Sequence, residues 1–519
     1  MQSNRYDKPS SIIYSLVAII VIYLCCFHNI WIAPISDVDE GAFSQATMEM
    51  LANDNYLSVS LLGEYRSDKP ILTHWLQSIS IKTFGFSEWA FRLPSSIAAS
   101  IWLSFLGYFA ARNFSRKHGL LTIIISGSCV GIMAISKAAT ADALFNLFLV
   151  LTIGLFYQYA KEDRRLFLYL ASAFAGLGFL TKGPAAIAIP GLLFILYSFF
   201  NSDFRNAFLK SILSPIAWFI FLLFSLPWYA FIYISQGWEQ FSEFFLYHNY
   251  IRFTQPLEGH DGGVLSYFFY LPVLIIFTMP YLGLLKDTIF DSGNYKLKSI
   301  GLFLFIWFLI VFVLFSVSAT KLPHYLIYGM SPIFILLSDY ALKKGPTTFL
   351  VLQTILMIIF YFSLPLILYF SALSQDQIIW SSLSNDVLSY FNYKYFLWLI
   401  IISSIYIYTV LNANLTRPDK ISFSSISLII VFSFLVYPSI LGLLQSTQKE
   451  IGLRASIEEG DLVFYDIYNP SVSLYSRKIA IKRIPSSGDL VYTKRESLIL
   501  LSNYEIIYEN NGQFLLRMD

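Results

Sequence analysis

Long apolar runs recur along most of this 519-residue chain, and they constrain its fold more than any other feature. A run of 18 or more apolar residues is long enough to cross a bilayer as a helix. Only 13% of the residues are charged, whereas a soluble protein of this length carries about 25%. The chain is therefore predicted to be a polytopic α-helical membrane protein. Its net charge of +2 argues against nucleic acid as a partner.

Thirteen apolar segments can be counted, which predicts about 13 transmembrane helices. They lie near 12–35, 93–112, 119–136, 141–160, 165–181, 184–200, 210–235, 266–286, 299–318, 323–342, 347–370, 394–412 and 421–444. Every second connection is short and rich in Lys and Arg, which places those connections in the cytoplasm by the positive-inside rule. The N-terminus is then cytoplasmic, and an odd helix count leaves the C-terminus outside.

The predicted outer face carries two long loops, 36–92 and 236–265. In the first loop, apolar residues follow helical spacing from Phe43 to Leu51 and again from Ile71 to Ile79, which predicts two interfacial amphipathic helices. After residue 445 the composition changes. Strands near 462–467 and 478–484, a short helix at 470–476 and a hairpin with an Asn511-Gly512 turn predict a small α/β domain at 446–519, beside a transmembrane domain at 1–445.

Four basic residues precede prolines at predicted helix starts on the outer face: Lys69-Pro70, Arg92-Leu-Pro94, Lys182-Gly-Pro184 and Lys321-Leu-Pro323. Proline favours the first helical turn. A cation there is unfavourable beside the positive end of the helix dipole, unless an anion docks between them. The pattern indicates a phosphate-binding site, in which Lys69 is the strongest candidate and Arg92 the weakest.

Acidic residues accompany these cations. Asp39 and Glu40 follow the first apolar run and Asp142 opens the fourth; these carboxylates could cap a helix or act in catalysis. Asp68, which precedes Lys69, could be a solvated loop charge or line the substrate site. Arg252 can grip a phosphate bidentately. The further lining candidates are His248, His260, His324 and Tyr325. A metal held by Asp68, His248 and His260 is an open alternative, although the spacing matches no zinc signature.

In their order along the chain, the motifs resemble those of the GT-C class of lipid-dependent glycosyltransferases. The resemblance is to the bacterial aminoarabinose–lipid A transferase family and the related protein O-mannosyltransferases. It covers about the first 345 residues through Asp39-Glu40, Lys69-Pro70 with Trp75, Arg92-Leu-Pro94, Asp142, Leu180-Thr-Lys-Gly183, Ile251-Arg-Phe253, Tyr270-Leu-Pro272 and Lys321-Leu-Pro-His-Tyr325. Asp68 stands where the aminoarabinose enzyme has a glutamate, and His248-Asn-Tyr250 where it has Glu-His-Ile.

The resemblance implies an inverting transfer of a sugar from a polyprenyl phosphate, outside the membrane. It implies that Asp39 and Asp142 are the catalytic acidic positions, with Glu40 beside them. Lys69 and Arg252 would hold the lipid phosphate, with Lys182 and Lys321 as further contacts. Thirteen helices with a C-terminal outer domain are also what that family has.

The expected function is thus an inner-membrane glycosyltransferase that modifies an envelope glycolipid, lipid A or its core. The expected partners are the polyprenyl-phosphate sugar, the glycolipid and membrane lipid, with the protein a monomer. No cofactor is required if Lys69 and Arg252 stabilise the departing phosphate, and a divalent metal is the alternative. The rival functions are a protein O-glycosyltransferase, a lipid-linked sugar flippase and an O-antigen ligase-like enzyme.

Overall fold

The protein consists of a helical membrane body and a C-terminal sheet that packs on one end of it. The computed structural model describes residues 8–255, 264–290, 299–343, 347–374, 386–411 and 414–519. Its helices are α1 Lys8–Cys26, α2 Asp39–Ala52, α3 Leu72–Phe84, α4 Glu88–Asn113, α5 Arg116–Gly127, α6 Val130–Ser136, α7 Asp142–Glu162, α8 Arg165–Lys182, α9 Ala185–Ser198, α10 Ser202–Ile212, α11 Pro215–Ser242, α12 Arg252–Thr254, α13 Tyr270–Thr278, α14 Leu282–Phe290, α15 Ile300–Val317, α16 Met330–Leu342, α17 Thr348–Ser374, α18 Tyr393–Val410, α19 Arg417–Val431, α20 Tyr437–Ile457 and α21 Pro470–Ser476.

Eight helical stretches in the described part are long and apolar enough to cross a membrane, or nine if a bent pair counts as one span. Three shorter apolar helices, Ile12–Cys26, Ala185–Ser198 and Ser266–Thr278, add to these. The predicted multi-pass membrane architecture is confirmed. The bent pair, α5 and α6, turns by 76° at residues 128–129, and it leads into the turn 137–141 that precedes α7.

Two helices lie in the connection between the first and second apolar runs, as the sequence predicts. α2 and α3 pack together and enclose a short hairpin of strands β1, Ser60–Leu61, and β2, Glu64–Tyr65. The buried Glu49 of α2 accepts hydrogen bonds from the backbone N–H groups of Leu62 (2.7 Å) and Gly63 (3.2 Å) in this hairpin. The 36–71 segment is therefore a folded part of the molecule.

The predicted helix start at Arg92-Leu-Pro94 is wrong. α4 begins at Glu88 after an extended Ser87, so Pro94 lies inside the helix and Arg92 in its second turn. Arg92 is fully buried and donates to Glu40, with an Nε–Oε1 distance of 2.6 Å and an Nη2–Oε2 distance of 2.9 Å. It also donates to the carbonyls of Ile30, Ala33 and Pro34. The guanidinium N–H groups of Arg92 are all bonded to protein oxygens, so Arg92 is a structural residue.

The C-terminal sheet has five strands in the order β4-β3-β5-β7-β6. They are β3 Leu462–Phe464, β4 Ile481–Lys482, β5 Leu490–Lys494, β6 Tyr504–Asn510 and β7 Gln513–Met518. The predicted helix at 470–476 and the hairpin are confirmed, the second strand is shorter than predicted, and β5 was not anticipated. Asn511 and Gly512 have φ values of 49° and 69°, as the hairpin turn requires. The predicted domain boundary at 445/446 falls within α20.

The C-terminal domain contacts the segment that leads into α2 and Asp39. The backbone N–H of Ser471, in α21, donates to Asp37 Oδ1 at 3.0 Å, and Ser471 Oγ donates to Asp37 Oδ2. A Cβ atom at Gly41 would lie 2.1 Å from Asp37 Oδ1 and 3.0 Å from Ser471 N, so glycine is needed for this close approach. Tyr475, one turn after Ser471 in α21, accepts a hydrogen bond from the backbone N–H of Ile35 at 2.8 Å. The C-terminal domain thus forms hydrogen bonds to Ile35 and Asp37 and packs closely against Gly41.

Candidate functional site

Two neighbouring cavities contain most of the predicted site residues. The first, here called the lysine cavity, has a volume of about 270 Å³ and is lined among others by Asp68, Lys69, Lys182, His248, Tyr325 and Tyr328. The second, the carboxylate cavity, has a volume of about 390 Å³ and is lined among others by Asp37, Asp39, Glu40, Lys137, Asp142 and His324. The fold therefore separates the predicted phosphate ligands from the predicted catalytic carboxylates.

Lys69 lines the lysine cavity and pairs with Asp68, which also pairs with Arg66. Its Nζ donates to Asp68 Oδ2 at 3.0 Å, and Arg66 Nε donates to Asp68 Oδ1 at 2.5 Å. Burial would raise the pKa of Asp68, but the Lys69 and Arg66 cations lower it well below its usual range. Burial lowers the pKa of Lys69, and although Asp68 opposes this, Arg66 and Lys182 lower it further. An anion between Lys69 and Lys182 would relieve that repulsion.

Lys182 is the last residue of α8, not only a residue that precedes α9. A cation is favourable at a helix C-terminus, so the electrostatic conflict that the sequence pattern suggests does not arise at this position. Its Nζ lies 2.6 Å from Asp142 Oδ1, and it also contacts the Tyr328 hydroxyl. Lys182 lines one cavity and its partner Asp142 lines the other, so this ion pair forms the partition between them.

Asp142 occupies the first position of α7, where a carboxylate is favourable. The Tyr328 hydroxyl donates to its Oδ1 at 2.6 Å, and Thr140 Oγ1 donates to its Oδ2 at 3.0 Å. His324 Nε2 lies 3.8 Å from Oδ1. Asp142 is thus held in place by hydrogen bonds and paired with a cation.

Asp39 and Glu40 are adjacent but differ in environment. Both oxygens of Glu40 accept hydrogen bonds from Arg92, and they also accept from the backbone N–H groups of Ser36 (2.8 Å) and Ala139 (2.9 Å). Asp39 is exposed to the carboxylate cavity, and within the described residues its carboxylate has no hydrogen-bond or ion-pair partner. Of these two predicted catalytic positions, Asp39 is the one whose oxygens can reach a bound molecule.

The predicted lining residues are divided between the cavities. His324 faces the carboxylate cavity and Tyr325 the lysine cavity, although they are consecutive in the 3₁₀ helix Pro323–Gly329. His248 lines the lysine cavity, with Nε2 3.2 Å from Ser67 Oγ. Lys321 donates to the Ser318 carbonyl at 2.6 Å and lines neither cavity.

Two predicted residues cannot be placed. The backbone of Arg252 begins the single turn α12 after a π-helical stretch, Glu243–Ile251, but its side chain lies outside the described part. His260 lies outside the described residues altogether. Of the three candidate metal ligands, Asp68 and His248 line the same cavity, and the described residues, which do not include His260, contain no group of three His, Cys, Asp or Glu that could hold a metal.

Three residues at the site were missed by sequence reasoning. Tyr328 contacts both members of the Asp142–Lys182 pair, Lys137 is a buried cation of the carboxylate cavity, and Asp37 joins that cavity to the C-terminal domain. Only Tyr328 could have been found from the local sequence, because it follows the predicted lining residue Tyr325 by one helical turn. Burial of Lys137 and Asp37 depends on contacts with residues about 300 and 434 positions away, which no local pattern reveals.

The chain is similar in sequence to known sugar transferases. Residues 68–230 match the family model described as dolichyl-phosphate-mannose-protein mannosyltransferase. The chain is 27% identical over 345 residues to the undecaprenyl phosphate-alpha-4-amino-4-deoxy-L-arabinose arabinosyl transferase 2 of Sodalis glossinidius, covering 65% of this chain and 60% of that protein. It is 27% identical over 332 residues to an uncharacterized protein of Aquifex aeolicus, covering 63% of this chain and 73% of that one.

The fold has a close structural counterpart. The crystal structure of ArnT from Cupriavidus metallidurans bound to undecaprenyl phosphate superimposes with a TM-score of 0.80 at 16% identity, and the match covers 97% of each chain. This likeness shows that the chain has the GT-C fold with its small C-terminal domain. Together with the sequence matches, it confirms the resemblance to aminoarabinose transferases that the motifs indicate.

Proposed function

We propose that this protein transfers a sugar from a polyprenyl-phosphate donor to an envelope glycolipid, lipid A or its core, on the outer face of the bacterial inner membrane. The N-terminus would be cytoplasmic and the C-terminus periplasmic. The observation that carries the proposal is the pair of adjoining cavities, one with two lysines and the other with the carboxylate of Asp39, which makes no hydrogen bond or ion pair with the described residues. The likeness to arabinosyl transferases whose names specify an undecaprenyl phosphate sugar supports the donor class.

The proposed reaction is a displacement at the anomeric carbon of the sugar. An acceptor oxygen forms the new bond to that carbon, and the bond from the carbon to the phosphate oxygen breaks with its electron pair. If the acceptor is a hydroxyl, Asp39 takes its proton. If the acceptor is a phosphate, no proton has to leave, and Asp39 orients the acceptor or stabilises positive charge on the sugar.

The departing polyprenyl phosphate carries about −1.5 to −2 charges near neutral pH. Lys69 and Lys182 line the cavity in which this charge would develop. Because their positions are fixed, they stabilise the transition state, in which the phosphate charge is developing, and so lower the activation barrier of transfer. We propose that these lysines, together with Arg252, suffice without a cofactor. A divalent ion held by Asp68, His248 and His260 is the alternative. Transfer that is lost on chelation and restored by added metal would favour that alternative.

Mass spectrometry of glycolipids from cells with and without the protein tests the proposed function. We expect a mass increase on lipid A or its core that requires the protein and that disappears in Asp39→Asn. The matched control is Asp163→Asn, an exposed residue at the opposite end of α7 in a left-handed conformation that asparagine tolerates. General-base loss costs about two to four orders of magnitude. An unchanged glycolipid mass would reject the glycolipid acceptor, and a mass increase on a protein would favour protein O-glycosylation.

A lipid-linked sugar transporter is the rival from another class. The purified chain in detergent separates the two, because a transporter has no compartments to connect there and makes no new glycosidic bond. Formation of glycosylated acceptor in detergent supports the enzyme. Flipping of the donor in vesicles without transfer under any condition would support the transporter.

A further inference from the structure

Tyr328 contacts both members of the Asp142–Lys182 pair that separates the two cavities. Its hydroxyl donates a hydrogen bond to Asp142 Oδ1 at 2.6 Å and accepts one from Lys182 Nζ. Lys182 Nζ also donates to the same Asp142 oxygen at 2.6 Å. Tyr328 and Lys182 line the lysine cavity, whereas Asp142 lines the carboxylate cavity. The three side chains are therefore bonded to one another at the boundary between the cavities.

The rest of Tyr328 is held by contacts that do not involve its hydroxyl. The residue is 2% exposed, and its ring packs edge-on against Phe145 with the ring centres 4.8 Å apart. Its backbone carbonyl accepts a hydrogen bond from Trp307 Nε1 at 3.2 Å. These contacts remain in Tyr328→Phe, which removes only the hydroxyl and its two hydrogen bonds.

Lys182 pairs with Asp142 and also lines the lysine cavity, where the donor phosphate is proposed to bind. An ammonium has three donor hydrogens, and Asp142 and Tyr328 accept two of them. The phosphate gains negative charge as its bond to the sugar breaks, to about −1.5 to −2. Its attraction for Lys182 then grows while the charge of Asp142 stays the same. The two anions therefore compete for one cation.

Asp142 needs other donors if Lys182 turns toward the phosphate. A buried carboxylate that loses its cation is costly unless hydrogen bonds stabilise it. Among the described residues, the remaining donors are the Tyr328 hydroxyl on Oδ1 and Thr140 Oγ1, which lies 3.0 Å from Oδ2. His324 Nε2 is farther away, at 3.8 Å from Oδ1. Since Tyr328 donates to the same oxygen as Lys182, its hydroxyl is placed to replace part of the stabilisation that Asp142 loses.

We propose that Tyr328 is a positioning residue, which holds Asp142 at the boundary while Lys182 turns toward the departing phosphate. This inference rests on the proposed function and deepens it, since it makes the state of Asp142 depend on the phosphate in the neighbouring cavity. In this role Tyr328 acts through Asp142 and does not touch the reacting atoms. Asp142 weakens phosphate binding, because it competes for Lys182. Tyr328 strengthens phosphate binding, because it stabilises Asp142 after Lys182 has turned.

The test measures binding of polyprenyl phosphate to the full-length protein in detergent by isothermal titration calorimetry, so it does not depend on transfer. We expect Asp142→Asn to lower Kd by about tenfold, since the competition is lost, and Tyr328→Phe to raise Kd by about threefold to tenfold. The effect of Tyr328→Phe should disappear when Asp142→Asn is already present. The effect of Asp142→Asn should disappear in Lys182→Met, whereas simple charge repulsion between Asp142 and the phosphate would persist there.

Transfer kinetics provide a second measurement. Tyr328→Phe should lower kcat by about tenfold or more, because Asp142 loses a hydrogen bond to its charged group. Tyr395→Phe is the matched control. Tyr395 is 3% exposed, its hydroxyl donates to the Tyr361 carbonyl at 2.8 Å, and it lines neither cavity. This control should keep the wild-type Kd and kcat.

Three results would overturn the inference. They are an unchanged Kd in Asp142→Asn, a Tyr328→Phe effect that keeps its size in the Asp142→Asn background, and a Tyr328→Phe variant with a lower melting temperature but unchanged Kd and kcat. The last result would make Tyr328 a structural residue only. Absence of polyprenyl phosphate binding by the wild-type protein would instead reject the proposed donor class, on which the inference rests.

Discussion

The lysine cavity and the carboxylate cavity lie side by side and differ in charge. The first is lined by Lys69, Lys182 and Asp68, and the second by four carboxylates and Lys137. A displacement reaction needs a cation-rich region for the leaving group and a proton acceptor for the attacking group. The two cavities provide these separately, so under the proposed function donor and acceptor would approach from opposite sides of the Asp142–Lys182 pair.

This separation follows from where the helices begin and end. Asp142 starts α7 and Lys182 ends α8, so each charge lies at the helix end where the dipole favours it. α7 and α8 are packed antiparallel neighbours, which brings these two ends together. The partition is therefore built from two favourable helix termini, and it does not depend on a flexible loop.

The largest effect on the protein is expected from removing Glu40, whose ion pair with Arg92 joins the carboxylate cavity to the membrane helices. Glu40→Ala should destabilise the protein by about 3–5 kcal/mol, because Arg92 is left as an uncompensated buried charge. Thermal unfolding in detergent measures this.

One further variant checks this interpretation. Glu40→Ala combined with Arg92→Met should recover part of the loss, since both charges are then absent. If Glu40→Ala keeps wild-type stability and loses transfer alone, Glu40 is a catalytic group like Asp39 and not an anchor.

A smaller effect is expected in the lysine cavity. Lys69→Met should lower kcat by about two to three orders of magnitude, since one fixed donor to the developing phosphate charge is lost. Lys82→Met, on the exposed end of α3, is the matched control and should retain activity. Kinetics at saturating donor measure this effect. An unchanged kcat in Lys69→Met would contradict the assignment of this cavity to the leaving group.

The sequence predicts the local parts of this arrangement and misses the long-range ones. Apolar spacing predicts α2 and α3, and the Asn511-Gly512 turn predicts the last hairpin, because these signals lie within a few residues. The family motifs name Asp39, Lys69, Asp142 and Lys182. The Glu40–Arg92 pair crosses 52 positions and the Asp37–Ser471 contact crosses 434, so neither is visible in a local pattern, and Arg92 was misplaced at a helix start for that reason.

The smallest effect is expected from replacing Asp37, which lines the carboxylate cavity and bonds to the C-terminal domain. Burial raises the pKa of Asp37 to about 7, although two hydrogen bonds from Ser471 act to lower it, and Glu40 raises it further. Tyr468 and Tyr492 also interact electrostatically with Asp37, and Gln445 accepts a hydrogen bond from its backbone N–H. The ordinary pKa of a carboxyl group is about 3.9 in an unfolded chain. Between these two values the folded protein binds more protons at Asp37 than the unfolded protein does.

The sign of the resulting pH dependence follows by linkage. The contribution of Asp37 to stability is fully present below about pH 4 and is lost as pH rises to about 7. Asp37→Asn has no such titration, so its melting temperature relative to wild type should rise between pH 5 and pH 7 and then stay level. Ser471→Ala should move this window to higher pH, because it removes a hydrogen bond that favours the ionised carboxylate. A difference between wild type and Asp37→Asn that is constant from pH 5 to pH 8 would show that Asp37 does not titrate there, and the C-terminal domain would then be held by contacts that are insensitive to pH.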